Sequence, residues 1–256
     1  MSSPLAVLAL DGPIATITLA LPGGLLDRAG SEALADAARG AADAPGVRAV
    51  IVQAEGTDFC AGWSAAALAE PQGVLGLPDL AAGIEALAAI PQPVIAAIHG
   101  RAHSAGLEIA LACDIRVATE DTTFAMPDTA AGSVPRGGGT QRLPRAVGRA
   151  HALRLLLLGE IIDAAEARRI GLLSRVVLSD SADLPTAARE LAEAVASRGP
   201  IATRLAKEAV HRGAEMTLEQ ALRYETDLTV ILQSTADRAE GVRAFEEKRE
   251  PRFRGE

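Results

Sequence analysis

Residues 99 to 114 read HGRAHSAGLEIALACD, which sets one carboxylate, Glu108, inside an apolar helical run opened by small residues. Glutamate is rarely fully buried unless it is paired. The chain therefore either desolvates a charge or uses it. Glu108 follows Ala105 by three positions, about one helical turn. A second small-residue turn occurs in FCAGWSAAALAE, residues 59 to 70. Each turn leaves unpaired backbone N–H groups at a helix start. Two such groups converging on one oxygen form an oxyanion hole; the plainer alternative is tight packing at a strand-to-helix turn. A second acid, Asp128, follows Pro127 in TFAMPDTAAGSVPRGGGTQRL, where its plainer alternative is an Asx turn. The glycines at 137–139 resemble a phosphate loop but lack the Lys and Ser/Thr in register. They read as a tight loop before a helix at Thr140.

These residues need elements to hold them. LAVLAL and IATITLA flank the turn DGP and read as a hairpin. SEALADAARGAADA has helical spacing, with Ser31 as the expected N-cap. VRAVIVQAE is a strand, LPDLAAGIEALAAI a helix stopped by PQP, and VIAAIHG an all-apolar strand of the kind buried on both faces. AGLEIALAC is a helix, and DIRVATE and TFAM are short strands. Alternation of strands and helices to about residue 130 argues an α/β class with crossovers. Beyond residue 140 the chain reads as helices: RAHALRLLLLGE, DAAEARRIG, LPTAARELAEAVASRG, IATRLAKEAVHRG, TLEQALRYETDLTVILQ and TADRAEGVRAFEEKRE, with one strand, LLSRVVLS, among them.

The 256 residues are 49% hydrophobic, enough for a sizeable core. A net charge of -8 argues against a nucleic-acid surface, which needs a basic face. Cys60 and Cys113 lie in apolar runs and read as small buried hydrophobes, not a disulfide framework. No Cys/His spacing suggests a metal. No apolar run reaches membrane-spanning length, and the N-terminus lacks a signal-peptide pattern. The expectation is a cytoplasmic protein without a membrane or nucleic-acid partner.

Together, FCAGW, HGRAHSAGLEIALACDIRVATE, FAMPDTAAGSVPRGGGTQRLPRAVG, LLLLGEIIDAAEARRIGLLSRVV and ADRAEGVRAFEEKREPRF resemble the enoyl-CoA hydratase/isomerase, or crotonase, superfamily, from about residue 5 to the C-terminus. The resemblance implies an α/β, crotonase-like spiral of ββα/βαβ units over residues 1–195. A helical trimerisation or lid region over 196–256 follows, with assembly as a homotrimer or a dimer of trimers. It implies an acyl-CoA substrate and no cofactor, coenzyme A being part of the substrate, and no metal. Catalytic carboxylates fall on Glu108 and Asp128, and the oxyanion-hole donors on Trp63 and Ala105. Substrate and CoA contacts fall on Ala61, Leu25, Phe245 and Lys248, the last two often serving a neighbouring subunit. The reaction implied is hydration of a 2-enoyl-CoA. Two N–H dipoles, worth about 3–4 kcal/mol each, would stabilise the thioester enolate. One carboxylate would deprotonate water at C3 and a carboxylic acid would protonate C2. The runner-up is a double-bond isomerase in which Asp128 shuttles a proton between C4 and C2; another alternative is a weakly catalytic acyl-CoA-binding member.

The chain departs from the family pattern in places. Asp128 stands where hydratases carry Glu, one methylene longer. Ser104 and Ala105 replace glycines and narrow the thioester site. His103 replaces an apolar residue and is a candidate accessory acid–base group. Trp63 is bulky at a donor position, and Ser64 replaces an acid. Gly23 and Leu26 stand in the lip where a basic residue and an Asn are usual, leaving Arg28 to supply charge. The wall of the acyl pocket is expected from residues 71–80 and the C-terminal helices.

Overall fold

A computed structural model describes residues 4–69, 77–179 and 183–256. The chain opens as the antiparallel hairpin β1 (Ala6–Asp11) and β2 (Ile14–Leu19), in register from Ala6 opposite Leu19 to Asp11 opposite Ile14. The two-residue strand β3 (Leu25–Leu26) leads into α1 (Arg28–Asp43). The N-cap of α1 is Asp27, whose Oδ1 accepts the Gly30 N–H at 2.8 Å. This corrects the expectation for Ser31, which lies in the first turn, fully buried. An acid four residues earlier satisfies the free N–H groups first. Ser31 instead ties α1 to α3 (Leu77–Ala88): its Oγ donates to Leu80 O at 2.7 Å and accepts from Gly83 N at 3.0 Å.

Strand β4 (Ala49–Ala54) is followed by the short β5 (Gly62–Trp63) and α2 (Ala65–Ala69). After α3 come β6 (Val94–Ile98), β7 (Arg101–His103) and α4 (Ala105–Ala112). Strands β8 (Ile115–Thr119) and β9 (Thr123–Ala125) lead to a 3-10 turn at Pro127–Ala131 and to α5 (Gly139–Leu158). Gly148, at φ 78°, breaks the helical path of α5. Then follow β10 (Ile162–Asp163), α6 (Ala164–Arg169), β11 (Arg175–Val177) and α7 (Asp183–Ala196). Helices α8 (Pro200–Gly213), α9 (Leu218–Gln233) and α10 (Ala236–Glu246) close the chain.

The main sheet has the order β1-β2-β4-β6-β8-β11, parallel from β2 onward. β6 is buried along its whole length because both faces are covered. Val94, Ala96 and Ile98 face the larger core with α1, α3, α4 and α5. Ile95 and Ala97 face a second core formed by Leu184, Ala187, Ala188 and Ala192 of α7. That is the period-two alternation of a strand. Two small ladders, β3-β5 and β10-β9-β7, sit apart from the main sheet. They hold the loops that carry the candidate site.

Candidate active site

The two small-residue turns lie side by side. Phe59 N donates to His99 O at 2.9 Å, Cys60 N to Arg101 O at 3.0 Å, and His103 N to Cys60 O at 3.0 Å. Gly106 permits this contact: a Cβ there would meet Cys60 O at 2.0 Å. At the outer end, Asp58 accepts from Arg101 N, Nε and Nη2 at 2.9, 2.9 and 2.8 Å. Chiefly through the hydrogen bond from the Arg101 side chain, its carboxyl is held well below the usual carboxylate range.

The expected donors follow this clamp. Trp63 sits on β5, in register with Leu26. Ala61 N donates to Gly24 O and Ser64 N to Leu26 O, both at 2.7 Å, so the β3-β5 ladder gathers Leu25, Ala61 and Trp63. Leu26 is fully buried beneath it. Ser64 Oγ accepts from Ala67 N at 3.1 Å and so caps α2. Arg28 is the first residue of α1. Ala105 opens α4, where the first N–H groups have no intrahelical acceptor. Ahead of it, Ser104 adopts φ 46°, ψ −113°. Such backbone costs a non-glycine residue about 1–3 kcal/mol.

Glu108 is fully buried. Its Oε1 accepts the N–H groups of Gly137 at 2.6 Å and Gly139 at 2.9 Å. The glycine run is thus a cradle for a carboxylate as well as a tight loop. A side chain at either position would displace its neighbours: a Cβ at Gly137 would meet Ile84 Cδ1 at 2.4 Å and Glu108 Oε2 at 3.0 Å, and one at Gly139 would meet Met126 Cε at 2.8 Å and Pro135 Cβ at 2.9 Å. Burial pushes the Glu108 carboxyl up to about 7, and the charge of Asp128 adds to the rise. The N–H groups of Gly139 and Gly137 and the indole of Trp63 oppose it.

Asp128 stands on the 3-10 turn, 7% exposed, and its Oδ1 accepts from Ser104 Oγ at 2.7 Å. Glu108 Oε2, Asp128 Oδ2 and Trp63 Nε1 are all buried without a partner at hydrogen-bonding geometry among the described residues. Two acceptors and one donor therefore remain available to a molecule entering the site. The indole is close enough to favour the charged form of Glu108 without bonding it.

Other expected residues stand elsewhere. His103 Nε2 bonds Thr123 Oγ1 at 3.0 Å rather than either carboxylate, and burial holds its pKa below the usual histidine value. Phe245 is 85% exposed, and Lys248 is exposed at φ 54° just after α10. The chain beyond them is anchored at the start of β4, where Arg48 Nη2 donates to Phe253 O at 2.7 Å. Within one chain, Phe245 and Lys248 are not packed into the site. Residues 71–76 of the expected pocket wall lie outside the described residues. No group of three or more potential metal ligands occurs among the described residues, and no helix there is long and apolar enough to cross a membrane.

This geometry has relatives. The model of the family described as enoyl-CoA hydratase/isomerase matches residues 11–256. The chain belongs to that family. It is 46% identical over 169 residues to YngF of Bacillus subtilis, named for the same family, covering 66% of this chain and 64% of that one. It is 41% identical to the mitochondrial methylglutaconyl-CoA hydratase of Rattus norvegicus over 82% of this chain and 69% of that one. The crystal structure of an enoyl-CoA hydratase from Bacillus anthracis superposes with a TM-score of 0.89 at 34% identity, covering 98% of this chain and 100% of that one. The crotonase fold is shared across this hydratase/isomerase group.

Proposed function

We propose that this family member is an enoyl-CoA hydratase, adding water across the 2,3 double bond of a 2-enoyl-CoA thioester. The observation that carries the reading is the pair of buried carboxylates, Glu108 and Asp128, each with one oxygen free of any partner at bonding geometry. The thioester oxygen would lie against the N–H groups of Trp63 and Ala105, where negative charge develops as C3 is attacked. A water between Glu108 Oε2 and Asp128 Oδ2 would lose a proton to a carboxylate as its oxygen bonds C3, and a carboxylic acid would deliver a proton to C2. A carboxyl titrating near 7 is poised for this exchange at neutral pH. Hydratases among the relatives support the direction of reaction. Leu25 and Ala61, beside the Trp63 donor, would line the path of the substrate. Phe245 and Lys248, exposed in one chain, would serve the CoA moiety of a neighbouring subunit in a trimer or dimer of trimers.

The test is the loss of conjugated enoyl-thioester absorbance with crotonyl-CoA and longer or aryl-substituted enoyl-CoAs. Mass spectrometry would show the addition of one water. Binding without hydration, together with migration of a 3-enoyl double bond, would replace this reading with an isomerase in which Asp128 carries the proton.

A further inference from the structure

Ser104 occupies backbone suited to glycine, yet it carries a side chain that points at the second acid. Two hydrogen bonds tie it to the segment that bears Asp128, and it lies close to the strand that bears Trp63. Its Oγ donates to Asp128 Oδ1 at 2.7 Å. Its N–H donates to Ala125 O, three residues before that acid, at 2.9 Å. A Cβ on Gly62, next to Trp63, would lie 3.5 Å from its Cβ. Ser104 is also the residue immediately before the Ala105 donor, so it stands where both donors and the short acid meet.

From this we infer that Ser104 is the positioning residue for Asp128, and that the serine and the short acid act as one unit. A buried aspartate with two free oxygens can rotate. The Ser104 hydroxyl fixes Oδ1 and leaves Oδ2, buried and unpartnered, as the single oxygen presented to the substrate. Bond formation to this acid also offers a reason for a serine to persist at φ 46°, since unfavourable backbone is kept where surrounding contacts over-determine it. The pairing sets the length of the acid as well. A glutamate at 128 would extend by one carbon–carbon bond, about 1.5 Å, and its carboxyl would run into a hydroxyl already at hydrogen-bond distance.

A role for Ser104 in turnover presupposes the hydration reaction proposed above, so the experiment separates the two. Enoyl-CoA hydration is measured for the wild type, S104A, S104G, D128E and the double variant S104G/D128E. S104A is expected to lower kcat about tenfold with KM changed less than about twofold, because the acid is misoriented while the binding groups remain. D128E is expected to lose about 10²-fold. S104G/D128E should recover at least about tenfold over D128E, because removing the hydroxyl makes room for the longer acid. Wild-type kcat in S104A, or a double variant no better than D128E, would overturn the inference. If the wild type hydrates no enoyl-CoA, the functional reading falls and the pairing is judged on thermal melting of the wild type, S104A, D128A and S104A/D128A, since alanine at either position removes the bond. A bonded pair gives a non-additive shift in Tm; additive shifts reject it.

Discussion

Oε1 of Glu108 accepts the N–H of Gly139 at 2.9 Å, so a carboxylate on one helix caps the first turn of another. The N-terminus of α5 favours negative charge there. Burial works the other way and dominates, leaving the carboxyl near 7. Glu108 is thus held by one oxygen and poorly solvated at the other.

This balance gives a stability prediction for Glu108→Gln. The folded-state value of about 7 exceeds the ordinary 4.5. The folded chain therefore holds this proton more tightly than the unfolded chain, and stability falls as pH rises from about 4.5 through 7. The full cost, on the order of 3 kcal/mol, is present above that window and absent below it. Gln keeps an oxygen for the two glycine N–H groups and carries no charge. The variant should lose hydration by at least about 10²-fold yet melt higher than the wild type at pH 8.5. Near pH 4 the two should melt alike. Equal melting at both pH values would remove the desolvation account.

A second prediction concerns the indole of Trp63. Trp63→Phe keeps the backbone donor and removes an N–H that favours the charged form of Glu108. If Glu108 acts as base, kcat should rise with pH through about 7 in the wild type. In the variant the midpoint should move to higher pH, with the smallest loss of rate on the alkaline side. The pH–rate profile of each protein reads this directly. An unchanged midpoint would mean that the indole does not influence the base.

Much of this arrangement was legible in the chain, and the limits have physical causes. The buried β6, the helix bearing Glu108 and the second acid after Pro127 follow from apolar pattern and local turn chemistry. β9 is legible as TFAM, but β3, β5 and β7, and so the ladders β3-β5 and β7-β9, are not, because two or three residues carry no period. The Glu108 cradle was hidden for another reason: the glycines lie 29 and 31 residues from the side chain they hold. Ser104 read as a residue that narrows the thioester site, and nothing in its neighbours reveals a bond to Asp128, 24 residues on. Ser31 reads as a cap from its place before the apolar run, but Asp27, four positions earlier, takes that role.

The clamp at Asp58 should matter for the rate. Its carboxylate is nearly buried, at 8% side-chain exposure, while Arg101 is half exposed at 53%. Asp58→Asn removes the charge that holds the 59–63 turn to the 99–104 turn. The screened Arg101 side contributes little by itself. Loss of charge-assisted bonds to the buried partner should cost about 1–3 kcal/mol. Because the folded pKa is depressed, that stability is present above the ordinary value of 3.8 and is lost as pH falls below it. The expected kinetic outcome is a kcat reduced about tenfold with binding of a saturated acyl-CoA retained. Calorimetric binding alongside turnover checks both. Normal kcat would show that the donors hold their places without this ion pair.

Gly106→Ala tests how closely the two turns must approach. The added Cβ would fall 2.0 Å from Cys60 O and 3.0 Å from Cys60 Cβ, contacts that backbone cannot tolerate. Helix α4 would have to back away from the turn that carries Trp63, separating the Ala105 and Trp63 N–H groups. A displacement of about 1 Å at such a site costs about 10²-fold in rate. Overpacking a filled core costs about 1–3 kcal/mol. The variant should therefore fold with a lowered Tm and lose about 10²-fold or more in kcat. Circular dichroism melting and hydration assays on the same preparation distinguish a lost fold from a lost site. A variant that melts and turns over like the wild type would mean that the two donors do not depend on the Gly106–Cys60 contact.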